Sequence, residues 1–178
     1  MRLLFALAGG ACLALDCAAI DLRPQGIAVQ AGVAQRGTQT ESIGLVWPWA
    51  WRHDAAEGQL SGITEGFISR WSTRDGDQRL VFTQMGVLPM LRYRAEAGRS
   101  PWFIEFGVGL SVTDRIFRTN GKQFSTRFNF ADGIGGGRSF GAGGRQELSL
   151  RFTHFSNGGI RRPNPGENVV RLRYAVMF

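Results

Sequence analysis

Only two cysteines occur in the chain, Cys12 and Cys17, and both fall within its first nineteen residues. That stretch opens on Met1-Arg2, continues as an apolar run from Leu3 to Leu15, and closes on the small residues Cys17-Ala18-Ala19. This is the layout of a secretory signal peptide spanning residues 1–19, cut after Ala19. The run is too short for a membrane anchor and is broken by Asp16. Neither cysteine follows a Leu-Ala-Gly type box, so a lipoprotein signal is not expected. Removal of the leader leaves residues 20–178 as one domain without a thiol, which excludes disulfides, thiolate metal sites and cysteine nucleophiles. Histidine is nearly as scarce, with only His53 and His154, so no metal cage and no cofactor are expected. Any hydrolytic chemistry must use serine, histidine and carboxylates. Nor does any later apolar run reach the length of a membrane helix, so a membrane-spanning form of this chain has to be a barrel.

The formal net charge of +7 survives loss of the leader, because Arg2 and Asp16 leave together. A basic protein points to nucleic acid or anionic membranes; export makes nucleic acid a poor partner and anionic lipid a better one. The rest of the chain reads as period-two segments divided by turn residues, the pattern of a transmembrane barrel. The last segment is the clearest. Val170, Leu172, Tyr174, Val176 and Phe178 alternate with Val169, Arg171, Arg173, Ala175 and Met177, giving an apolar face that ends on an aromatic and a second face suited to a packed lumen. Ile27 to Ala34 and Ile43 to Trp51 form two more segments, the second with its tryptophans bunched as in an aromatic girdle. Others run near Ile63–Thr73, Arg79–Tyr93, Phe124–Gly137 and Gln146–Asn157. In Trp102–Leu110, Trp102, Ile104, Phe106, Val108 and Leu110 face outward, and Glu105, Gly107 and Gly109 face inward. The expected fold is all-β, an eight-stranded antiparallel transmembrane β-barrel.

With both termini in the periplasm, connections 36–41, 73–79, 113–123 and 157–167 lie at the cell surface, and those near 52–62, 94–101 and 138–145 are periplasmic. Eight strands enclose an interior just filled by side chains, which argues against a pore. Glu105, Arg151, Arg171 and Arg173 are expected to pair inside.

In the seventh segment Leu148, Leu150 and Phe152 share one parity, and His154 and Ser156 continue that lipid-facing set at the outer end. Two residues apart on one strand face, an imidazole and a hydroxyl lie side by side, and a serine hydroxyl needs such a base to become a nucleophile. The same pair is also compatible with ordinary polar residues at the headgroup level. The loop that follows holds glycines, two prolines and one carboxylate, Glu167, which serves either as the acid orienting His154 or as a solvated loop acid. His53 falls at the periplasmic end of its strand and offers no competing base.

His154-Phe155-Ser156-Asn157, then Gly158-Gly159-Ile160 and Pro163-Asn164-Pro165-Gly166-Glu167-Asn168, resembles the C-terminal signature of the PagL family of outer-membrane lipid A 3-O-deacylases. The resemblance implies a serine esterase of the bacterial outer membrane, its site facing the outer leaflet, that removes the ester-linked 3-hydroxyacyl chain at position 3 of lipid A in lipopolysaccharide. By that match Ser156 is the nucleophile, His154 the base and Glu167 the acid. The Gly159 amide and the Asn164 side chain are the candidates for the oxyanion hole, with Asn157 either a donor or a shaper of the turn. Arg36, Arg115, Arg118, Lys122, Arg161 and Arg162 are candidates for the lipid A phosphates, or for general attraction to an anionic surface. Ile116 and Phe117 are candidates for contact with acyl chains. The enzyme is expected as a monomer or homodimer. The competing readings are a non-catalytic structural or adhesive barrel, and another lipid-modifying barrel such as a phospholipase or acyltransferase.

Overall fold

The computed structural model describes residues 22–178. The expected signal peptide therefore lies outside the described residues. Ten strands form: β1 (Gly26–Ala34), β2 (Gln39–Ala55), β3 (Gly58–Asp75), β4 (Gln78–Arg94), β5 (Trp102–Thr113), β6 (Arg118–Thr119), β7 (Lys122–Gln123), β8 (Phe128–Phe140), β9 (Gln146–Ser156) and β10 (Glu167–Met177). Eight of them close an antiparallel barrel in the order β1-β10-β9-β8-β5-β4-β3-β2, and β6 with β7 makes a separate small hairpin. Closure pairs the first strand with the last, from Gly26 against Met177 to Ala34 against Val169.

The expected eight-stranded barrel is what forms. β2, β3 and β4 run farther than their alternation suggested, because tight turns at 56–57 and 76–77 let polar residues continue the ladder. β8 begins at Phe128 instead of Phe124, since residues 114–127 are spent on the β6–β7 hairpin.

Period-two alternation sorts the wall. Val29, Ile43, Leu45, Ile68, Ile104, Phe106, Val108, Ile134, Leu150, Phe152, Val170 and Leu172 all stand on the exposed outer surface. An apolar belt of that extent is not left open to water by a folded protein, and hydrocarbon is the solvent it fits. No helix among the described residues is long and apolar enough to cross a membrane.

The lumen is solid. Across its middle, Arg151 donates to Glu105 at 2.6 Å and to Glu65 at 3.0 Å, and Arg173 donates to Glu65 at 2.8 Å and to Glu147 at 3.1 Å. Arg92 joins Glu105 and Glu147 from the opposite wall. Of the four residues expected to pair inside, Arg171 alone takes no carboxylate. Its guanidinium lies instead over the Phe155 ring, 5.1 Å from the centroid. The outer end of the lumen is apolar and aromatic. Trp71, Phe82, Phe117, Phe124 and Phe155 form one cluster, with Phe117 meeting Trp71 and Phe82 at 5.2 Å and Phe124 at 5.1 Å. Phe117 comes from the connection leading into β6 and is wholly buried, so it plugs the barrel and does not meet acyl chains.

Candidate active site

The β8–β9–β10 register sets three outward side chains in one row. His154 on β9 is paired with Asp132 on β8 and with Asn168 on β10. Directly opposed residues hold their Cβ atoms about 4.5–5.5 Å apart. One step outward along the strands, Ser156 stands beside Phe130.

Asn168 Oδ1 lies 2.6 Å from His154 Nδ1. A side-chain amide oxygen only accepts, so this hydrogen bond requires a ring that carries a proton on Nδ1. The far edge of the ring packs on Gly166. A Cβ built there would come within 2.6 Å of Cε1 and 3.1 Å of Nε2, and Gly166 has φ +60°. Only glycine gives the ring this seat without strain. The imidazole is thereby held from two sides, by an acceptor on Nδ1 and by bare backbone beneath Nε2. Nε2 is the ring nitrogen that Asn168 does not engage.

Glu167, expected beside His154, is elsewhere. It is opposite Phe155 in the register, so it points into the lumen with Phe155 while its strand neighbour Asn168, opposite His154, points out. There it is buried and ion-paired with Lys122 at 3.1 Å. The sequence held the correct signal: the parity of Val170, Leu172 and Tyr174, extended inward by one step, puts Asn168 on the outer face and Glu167 on the inner one. Asp132, also missed, stands on the outer face beside Ile134, where a carboxylate has no reason to be in an inert barrel wall.

The loop 157–166 is built around Asn157, which is buried. Its backbone N–H donates to Asn164 Oδ1 at 3.1 Å, its Nδ2 donates to Ser125 Oγ at 2.9 Å and to the Arg161 carbonyl at 2.8 Å, and its Oδ1 accepts the Gly159 N–H at 2.9 Å. Asn157 therefore shapes the loop. The Gly159 amide, expected to face the substrate, is taken up by this turn. The Gly158 amide faces Ser156 Oγ instead, at 3.4 Å. Asn164 spends its oxygen on Asn157 and keeps its Nδ2 donors.

Of the basic surface residues, Lys122 is withdrawn into the lumen and Arg118 is paired with Asp75 at 3.4 Å. Arg115 donates to the Val81 carbonyl and lies over the Phe82 ring. Arg36, Arg161 and Arg162 remain exposed around the rim. His53 is exposed at the other end of the barrel, stacked on Trp51.

The profile of the lipid A 3-O-deacylase (PagL) family matches residues 38–177. The lipid A deacylase PagL of Bordetella bronchiseptica is 30% identical over 170 residues, covering 93% of this chain and 92% of that protein. The lipid A deacylase PagL of Pseudomonas aeruginosa is 26% identical over 152 residues, covering 84% of each. A crystal structure of the outer membrane enzyme PagL superposes with a TM-score of 0.74 at 26% identity, over 86% of this chain and 99% of that one. With the barrel, the outward histidine–serine pair and a match over nearly the whole described length, the chain is an outer-membrane β-barrel that belongs to the lipid A 3-O-deacylase (PagL) family.

Proposed function

We propose that this chain hydrolyses the ester-linked 3-hydroxyacyl chain at position 3 of lipid A, with Ser156 as nucleophile and His154 as general base. The observation that carries this reading is the 2.6 Å contact between His154 Nδ1 and Asn168 Oδ1, which supports a ring protonated at Nδ1 with Nε2 as the base. Nε2 takes the Ser156 proton as Oγ attacks the ester carbonyl. The Gly158 amide and Asn164 Nδ2 stabilise the oxyanion, and His154 returns the proton to the departing 3-hydroxyl of lipid A. Water, activated by the same base, then frees the 3-hydroxy fatty acid from Ser156. No metal is needed in this scheme.

The orienting residue is then a neutral amide, which holds the ring but carries no charge to offset the imidazolium. We assign that charge to Asp132, on the other flank of His154. Phe128 and Phe130, packed edge to face at 5.4 Å, offer an apolar wall beside Ser156 for the acyl chain. Such a site opens sideways into the membrane at the end where β9 meets its loop, which for an exported barrel is the outer leaflet.

Mass spectrometry of lipid A from a host that keeps the 3-position ester tests the reading. Wild type removes one 3-hydroxyacyl chain, and Ser156→Ala leaves the lipid intact. Unchanged lipid A with wild type would sink the proposal. A gained acyl chain identifies an acyltransferase instead, and lysophospholipid identifies a phospholipase.

A further inference from the structure

Lys122 is the only lysine of the chain, and it reaches inward from the surface hairpin to Glu167 with its side chain only 8% exposed, against 0% for its partner. Nζ donates to Glu167 Oε2 at 3.1 Å and to Gln35 Oε1, from the first surface connection, at 3.3 Å. Among the described residues, Glu167 Oε1 is buried without a hydrogen-bond partner and Lys122 is the one cation paired with this carboxylate.

The residues on either side of Glu167 are the two that hold the catalytic ring. Gly166 lies under Cε1 and Nε2, and Asn168 accepts from Nδ1. Glu167 opens β10, so alternation turns its side chain inward and that of Asn168 outward, and Gly166 is bonded directly before it. Fixing the Glu167 side chain inside therefore sets where the backbone on both sides of it stands. The hairpin that presents Lys122 is itself immobilised. Phe117 is locked in the aromatic plug, Thr119 Oγ1 joins the buried chain of hydroxyls from Thr73 and Thr38 at 2.7 and 2.9 Å, and Asn120 Oδ1 caps the Gly76 amide at 2.6 Å.

We propose that the buried Lys122–Glu167 ion pair is a positioning device for the active site, a strut from the surface hairpin that fixes Gly166 and Asn168 and so holds the His154 ring in register with Ser156. The proposal rests on the assignment of His154 as the base. It makes Lys122 and Glu167 positioning residues that never touch lipid, and gives the buried acid of this motif a structural task on the inner face of the strand.

The test uses purified full-length enzyme in detergent micelles, with barrel integrity read from the heat-dependent shift in gel mobility. Lys122→Met and Glu167→Gln lower kcat about tenfold or more while KM stays within about twofold, because displacement of a reacting group costs turnover and the lipid contacts lie elsewhere. Lys122→Arg, which keeps the cation, restores most of the rate. The double variant Lys122→Met/Glu167→Gln removes the uncompensated charge, so it recovers thermal resistance but not kcat. A second readout does not depend on activity. In ¹⁵N-histidine-labelled enzyme the His154 Nδ1–H proton is protected and downfield in wild type, and broadens in both single variants, with exposed His53 as the internal reference. Wild-type kcat and an unaltered His154 signal in folded Lys122→Met overturn the strut, as does a fall in kcat with the signal intact. Undiminished turnover in Ser156→Ala instead overturns the assignment of the nucleophile and leaves the ring-positioning readout standing.

Discussion

Inside the barrel, Glu65, Glu105 and Glu147 each meet at least two arginines, whereas on the outer wall Asp132, His154 and Asn168 have a row only three strands wide. The two regions share β8, β9 and β10, and consecutive residues supply them alternately. In the lumen, charges are spent on one another, each desolvated carboxylate being stabilised by several fixed donors. On the outer face, among the described residues, the His154 ring has one hydrogen-bond partner, Asn168. A saturated network holds shape. An unsaturated one at a membrane face has chemistry left to perform.

The contrast yields graded predictions. His154→Ala removes the proposed base and is expected to lower turnover by about a thousandfold or more while the barrel stays folded, since acid–base partners of a serine nucleophile act as a unit. Deacylation kinetics and the heat-shift gel measure the two properties separately. Arg173→Met does the reverse. It strips two lumen carboxylates of a donor and costs about 3–5 kcal/mol of stability, read as a lower denaturation midpoint, with kcat of the still-folded fraction unchanged. Gly166→Ala drives a methyl into the His154 ring and should reduce kcat about a hundredfold, on the scale of an ångström-sized displacement. Its loss of stability should be well below that of Arg173→Met. Asp132→Asn, which keeps the shape and removes the charge, should lower kcat about tenfold, the scale of about 1.4 kcal/mol of transition-state stabilisation. If Asp132→Asn matches wild type, the imidazolium is stabilised without that carboxylate.

Much of the barrel was legible because it depends on local alternation. Hydrocarbon outside and a filled lumen inside force a period of two on each wall strand, and Trp102–Leu110 and Val169–Phe178 carry it openly. The turns at 56–57 and 76–77 were less legible. Polar residues of β2, β3 and β4 project beyond the hydrocarbon, where water tolerates either face and alternation no longer reports the strand. The site was legible by the same measure. His154 and Ser156 continue the parity of Leu148, Leu150 and Phe152, so their outward direction needed no coordinates. The neighbours of that pair did not follow, because partners across a ladder depend on register, and a shift of one residue exchanges Glu167 for Asn168.

Sequence alone thus determined the export-type leader expectation, the barrel, the absence of thiol chemistry from residues 20–178, and the face on which His154 and Ser156 stand. Each follows from composition or from a repeat that two neighbouring residues already express. The tertiary structure decided that Asn168 and not Glu167 meets the imidazole, that Gly158 and not Gly159 faces Ser156, and that Phe117 and Lys122 leave the surface for the lumen. Those outcomes depend on register and on contacts across the barrel between residues far apart in the chain, such as Lys122 with Glu167, 45 positions away, and with Gln35, 87 positions away. No local pattern encodes such contacts; closing the sheet creates them.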